Sequence, residues 1–409
     1  MSDPLSPNDL IYSAALGHQV GLGRYSAKVS EDLIAILDES EREIKDLLEK
    51  RLANLSAKTL AGRDFTTDRY QNLIGIIREL RAEAMASAYA QLGSDLRDLV
   101  GYEVGFTAAV IGAGVPVIVD FVTPTAAFLS SLVTERPFEG ATLKAWAAAM
   151  TQQDLERITR AIQNGMVQGE GIEDIVRRVV GTNVFNGADG ATQATRTQIA
   201  SIVRTAVNAY SNSARQAMFD QNADIVDIEI FVATLDARTT ILCASLDGKK
   251  FKRGEGPIPP LHFRCRSTRV AVMLDKLIGD RPFKAGYEKL YLRLFADEQG
   301  LSKVPRNRDA LPRGMKGLYD DFARGKAREF TGTLPAHTDF ESWIKRQSPD
   351  FVENYFGKAR ADLFLSGKLN LKQFIDDGGR KLTLKQLAAM DKAGLKQLEL
   401  DLLDNASKP

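Results

Sequence analysis

Apolar residues recur at helical spacing through most of the chain. After Ser30, Leu33, Ile36, Leu37, Ile44, Leu47, Leu48, Leu52 and Leu55 form one stripe, and Glu31 and Asp32 lie in the first turn, where the helix dipole favours acids. A second helix is predicted from Asp68 to Val100, with Leu73, Ile76, Ile77, Leu80, Ala84 and Ala88 inward and Arg78, Glu79, Arg81 and Glu83 mostly outward. The pair predicts a helical hairpin or extended arm. Gly105 to Val119 is an uncharged apolar run, shorter than the roughly 20 residues a membrane span needs, so a buried loop and helix segment is expected there. From Thr123 to Gly181 the pattern is helical again, in stretches at Thr142 to Met150 (with Trp146), Asp154 to Met166 and Ile172 to Val180. The polar, glycine-rich stretch Asn183 to Thr192 marks a loop or boundary.

The period changes in the middle of the chain. Ile202 to Phe219 reads as a helix, with Val203, Ala206, Val207, Tyr210, Ala214, Ala217 and Met218 on one face and Arg204, Asn208 and Arg215 on others. Asp227 to Leu235 alternates and reads as a strand. Asp247-Gly248 is the pair that a tight type I′ hairpin turn requires, because both central residues take positive φ. The loop carrying Gly254, Gly256, Pro257, Pro259 and Pro260 cannot be regular structure, and Ser267 to Met273 reads as a closing strand. After Met273 the pattern is helix and loop, broken near Pro305, Pro312, Gly332 and Pro335. Helices are expected at Phe340 to Arg346, Ser348 to Phe356 and Gly357 to Phe364, then a last one behind Thr383 as N-cap.

These readings predict a mainly α, multi-part protein with a small α+β module, a helix plus a short antiparallel sheet with a hairpin, near residues 196–275. The expected divisions are an N-terminal helical arm at 1–100, a helical domain at 101–195, the module at 196–275 and a C-terminal helical region at 276–409. At 409 residues the chain has room for two to four domains. A formal charge of +1 argues against a histone-like nucleic-acid binder, and two cysteines exclude a disulfide scaffold. The first residues lack the basic start, apolar run and cleavage site of a signal peptide. No phosphate-binding glycine loop, zinc-protease pair or serine nucleophile motif occurs.

Chemically unusual residues concentrate in the module. Cys243, His262 and Cys265 are zinc-type ligands, but a closed structural site takes four, and only Asp236 or Asp247 could complete the set. The alternatives are two buried thiols with His262 bonded to a loop carbonyl, or a Cys243 to Cys265 disulfide, which a reducing cytoplasm disfavours. Asp236, Arg238 and His262 contain types usable for acid/base work. An Asp-x-Arg-Thr at a strand end equally suits a local network, with Asp236 taking loop amides and Arg238 pairing with a carboxylate. Lys249, Lys250, Lys252, Arg253, Arg264, Arg266 and Arg269 outnumber the nearby acids. Lys249, Lys250, Lys252 and Arg253 are offered as DNA phosphate contacts, against the alternative of a solvated hairpin tip that guards a sheet edge. His18 and His337 are isolated and read as structural.

In this order and spacing, Arg204-Thr205, Asn208-Ala209, Asp236-Ala237-Arg238-Thr239, Cys243, Leu246-Asp247-Gly248-Lys249, Pro259-Pro260-Leu261-His262 and Arg264-Cys265-Arg266 resemble the phage Mu F-like minor head proteins, the phage head morphogenesis family. The family pattern often has a second cysteine three positions before the one matching Cys243; here Thr240 stands there. The resemblance implies structural roles for Arg204, Asp236, Arg238, Asp247, Gly248, Pro260 and Arg266, with no catalytic residue and no cofactor. It implies a minor structural protein of a tailed-phage head, made in the host cytoplasm and carried inside the head near the portal. Multiple copies around the portal protein, contact with packaged double-stranded DNA and no stable membrane insertion are expected. The alternatives are a packaged DNA-binding or ejected protein, or an enzyme or toxin carried by the head module.

Overall fold

The computed structural model describes residues 7–52, 67–114, 120–168, 170–182, 187–272, 280–335, 338–367 and 370–371. The expected last helix behind Thr383, and His337, lie outside them. Twelve α-helices and two three-stranded sheets are seen among the described residues, in two compact units that interleave along the chain. One unit comprises Gly17–Val226 and Arg253–Thr268; the other comprises Met1–Leu16, Asp227–Lys252 and Arg269–Pro409.

The first unit is helical. Helix α1 (Pro7–Leu52), which belongs to this unit from Gly17 on, and helix α2 (Thr67–Gly114) extend well past the predicted stretches. Within this unit, contacts pair His18 with Glu103, Tyr25 with the Asp95 carbonyl and Arg81 with the Leu37 carbonyl, so the two helices run in opposite directions. The expected hairpin arm is therefore a packed helical pair. Part of the apolar run Gly105 to Val119 simply continues α2 to Gly114, and no helix among the described residues is long and apolar enough to cross a membrane.

Helices α3 (Ala126–Glu135), α4 (Leu143–Val167) and α5 (Ile172–Val180) follow, α4 being one continuous helix where the pattern suggested two stretches. Helix α6 (Gln193–Gln221) completes the core: Val203, Ala206, Tyr210, Ala214 and Met218 pack with Leu33, Leu37, Met85, Leu92 and Leu96. A second apolar cluster joins Ile44, Leu48 and Ile77 to Ile158, Ile162, Ile175 and Val179. Arg81 is fully buried, with Nε 2.6 Å from Asp154 and Nη1 donating to Ser40 Oγ at 2.8 Å. Glu41 nearby has its carboxyl pushed up by burial, against the pull of Arg81 and Arg196.

The second unit holds both sheets. Strand β1 (Ile228–Val232) is central in the first, between β3 (Lys250–Lys252) and β4 (Thr268–Val272), and pairs with β3 antiparallel with Ile230 opposite Lys250. The second sheet was not anticipated: β2 (Leu235–Asp236) pairs parallel with β5 (Asp280–Lys284), which pairs antiparallel with β6 (Thr331–Pro335). Glycine and proline in β6 and a two-residue β2 give no alternating pattern to read. Helix α7 (Ile241–Leu246) lies between β2 and β3. Helices α8 (Glu288–Glu298) and α9 (Lys316–Glu329) share a core of Tyr291, Leu292, Phe295, Leu311 and Tyr319. Helices α10 (Phe340–Ile344), α11 (Pro349–Phe356) and α12 (Lys358–Leu365) match the predicted stretches, and Phe340, Trp343, Phe351 and Phe364 pack with Leu235 and Ile241. Ser348 caps α11 by accepting from the Phe351 amide.

Candidate functional site

Within the first unit, α6 acts as a rail for the proline-rich loop. Thr205, Asn208, Asn212 and Arg215 recur at three- and four-residue spacing and so share one helix face. Thr205 Oγ1 accepts from the Arg264 amide at 2.9 Å. Asn208 Nδ2 donates to the carbonyls of Cys265 (2.9 Å) and Ser267 (3.2 Å), and Asn212 Oδ1 accepts from Thr268 Oγ1 at 3.0 Å. Arg215 donates to Thr268 Oγ1 and, through Nη2, to Glu103 at 3.0 Å. Glu103 is fully buried and its other oxygen meets His18 Nε2 at 2.5 Å. Asn208 and Arg215, assigned by sequence to faces other than the apolar one, are thus buried; of the three only Arg204 is exposed. Local periodicity cannot register a polar side chain whose partner is distant in sequence. Glu103 was missed as well, although it is the only charge between Asp98 and Asp120, a signal that it needs a buried partner.

In the loop itself, Pro259 is buried, Pro260 and Arg266 are partly buried, and the Arg266 carbonyl accepts from Gln19 Nε2 at 3.3 Å. His262 Nδ1 donates to the Phe263 carbonyl at 2.9 Å, the loop-carbonyl bond offered as one reading of this histidine. A hydrogen bond with Cys265 raises the imidazole above its ordinary value, against the effect of burial. The Glu139 carboxyl is raised by burial, opposed by His262. Arg253, proposed as a phosphate contact, pairs with Asp220 at 3.0 Å and donates to the Val226 carbonyl.

The second unit carries the rest of the motif. Asp236 is buried; its Oδ1 accepts from the Arg238 amide at 2.9 Å and from Thr239 Oγ1 at 3.3 Å, while Oδ2 is 3.6 Å from the exposed Arg238 guanidinium. This is the local network the sequence suggested. Tyr355 Oη donates to the Thr239 carbonyl at 2.8 Å, which ties the segment to α11. Asp247 Oδ1 accepts from the Ala233 amide at 2.7 Å. The turn at Asp247-Gly248 is present but differs from the expected type. Asp247 has φ −55° and ψ 133°, Gly248 has φ 75°, and the Lys249 amide donates to the Leu246 carbonyl at 3.0 Å, which is a type II turn. It joins a helix to a strand, so only its second position needs glycine.

Lys250 and Lys252 are exposed on the edge strand β3 and Lys249 is partly buried. Arg269, counted with them by sequence, is instead buried: Nε lies 3.2 Å from Glu229, and the guanidinium sits 4.6 Å over the Phe251 ring. Burial lowers its pKa, against the pull of Glu229.

Cys243 and Cys265 are buried thiols that are not joined by a disulfide. Cys243, His262 and Cys265 supply three of the four ligands that a closed zinc site takes. Thr240, at the position of the family's second cysteine, is the N-cap of α7 and accepts from the Cys243 amide at 3.3 Å. Both carboxylates that could replace it, Asp236 and Asp247, are engaged by their own loop amides.

A long buried helix that docks a proline-rich loop, followed in sequence by a small sheet, is the α+β module of a mainly helical protein. Residues 156–270, a little over a quarter of the chain, match the family model described as Phage Mu protein F like protein, and this segment is similar to that family. No curated protein and no solved structure gives a significant match.

Proposed function

We propose that this protein is a minor structural component of a tailed-phage head that associates with the portal vertex, inside the head, and acts in head assembly, DNA delivery or both. The observation that carries this reading is the Mu F-like match over 156–270. The polar residues of that segment fit it: Asn208, Arg215, Asp236 and Asp247 are spent on holding backbone and partner side chains. Co-purification with the portal protein of the same phage, with mass spectrometry of intact and DNA-emptied particles, is the test. Presence on the portal and in full heads is expected, loss on emptying adds ejection, and absence from both overturns the reading.

A second reading, contact with packaged DNA, is favoured by Lys250 and Lys252, which lie two apart on an exposed edge strand and so project from one face. It predicts non-specific duplex binding that weakens as salt rises and is lost when both lysines become glutamate.

A further inference from the structure

We propose that Arg204, Phe263 and Arg264, backed by Trp146, form a docking surface for an acidic segment of another head protein. The inference rests on the head-protein reading above and names the surface and chemistry of the contact. Phe263 is 41% exposed at a loop tip, with its ring 5.4 Å from Trp146 at an interplanar angle of 80°. Trp146 is itself fixed, its indole N–H donating to the Phe138 carbonyl at 3.0 Å. An apolar ring left at the surface on so firm a backing is the form of an interface anchor.

The backbone here is held in an unfavourable conformation. Among the described residues the non-glycine positions with positive φ are Arg264 (60°) and Glu139 (47°). Arg264 adjoins Phe263, and Glu139 follows the residue that holds Trp146. Left-handed backbone at a residue with a side chain persists where surrounding contacts over-determine it, and such positions cluster at binding sites. Arg264 is held at three points: its amide to Thr205 Oγ1, its Nε to Ser201 Oγ at 3.0 Å, and its Nη2 to the Thr197 carbonyl at 3.5 Å.

Along this stretch α6 itself carries one sign of charge. No Asp or Glu occurs from Gln193 to Phe219. Of the arginines of α6, Arg196 pairs with Asp38 at 2.7 Å and Arg215 with Glu103, while Arg204 is exposed. Arg204 lies three residues beyond Ser201, whose hydroxyl accepts from the Arg264 guanidinium, so the two arginines meet the same stretch of the helix. Among the described residues, the acceptors of the Arg264 guanidinium are a hydroxyl and a carbonyl, both neutral. The nearby acid, Glu139, interacts with His262 and Cys265. A held guanidinium and a further exposed arginine near an aromatic anchor suit carboxylates beside an apolar side chain. Non-specific DNA binding draws instead on a run of many phosphate contacts.

The test places a photo-crosslinking phenylalanine analogue at position 263 of the full-length protein in assembling phage, and compares particle incorporation of wild type with Arg204→Glu/Arg264→Glu. Expected are a crosslink to a carboxylate-rich segment of another particle protein and a fall in incorporation of at least about tenfold, equivalent to roughly 1.4 kcal/mol. Arg204→Glu alone, in which no buried contact changes, is expected to lower incorporation with an unchanged thermal unfolding midpoint. Crosslinks to DNA or to this chain only, or normal incorporation of the double variant, overturn the proposal. Wild-type protein absent from particles would instead overturn the head-protein reading.

Discussion

Helix α6 and the segment from Thr234 to Lys249 both bury polar side chains, yet they satisfy them over different ranges of sequence. On α6, Asn208 reaches carbonyls 57 and 59 positions away and Arg215 reaches a carboxylate 112 positions away. In the shorter segment Asp236 serves an amide two positions on, Thr240 one three positions on and Asp247 one 14 positions back. Long-range partners fasten separate elements together, whereas local ones fix the shape of a single connection. Loss of the first kind should weaken the whole unit; loss of the second should loosen one loop.

The largest effect is expected at Arg215→Met, which leaves Glu103 buried with His18 but without its guanidinium. A loss of about 3–5 kcal/mol is expected in denaturant unfolding, and Glu103→Gln/Arg215→Met should recover part of it if the stranded carboxylate is the cause. Asn208→Ala removes one donor amide from two carbonyls and should cost about 1–3 kcal/mol, with faster amide exchange at 262–268. Asp247→Ala strands the Ala233 amide and should cost about 1–2 kcal/mol, with faster exchange confined to 231–249. Thr240→Ala should cost about 1 kcal/mol as a lost cap, read as a small shift in unfolding midpoint. If Thr240→Ala destabilises as much as Arg215→Met, the distinction between the two regions fails.

The same distinction explains what could be read from the residues alone. The stripes of α1 and α2, the strand at β1 and the helices α10 to α12 were legible because their signal is local: apolar period, caps and breaks. The Asp236 network was legible because Asp, Arg and Thr lie within four residues of one another. Arg269 was misplaced as a surface charge, since nothing near it in sequence announces Glu229 as partner or Phe251 as cover. The turn at Asp247 was found with the wrong geometry, because Asp-Gly suits more than one turn and the helix α7 before it was not foreseen. The second sheet escaped because β2 has two residues and takes its neighbours from β5 and β6, far along the chain.

Glu103 also bears on modularity. The matched segment begins at residue 156, yet the carboxylate that neutralises its buried Arg215 comes from α2, and that carboxylate is held by His18 of α1. Excised alone, residues 156–270 would carry an uncompensated cation inside what should be their core, together with the apolar face of α6 that Leu33, Leu92 and Leu96 cover. The matched segment is therefore recognisable by sequence, yet its long helix is covered by an N-terminal pair that the family match does not reach.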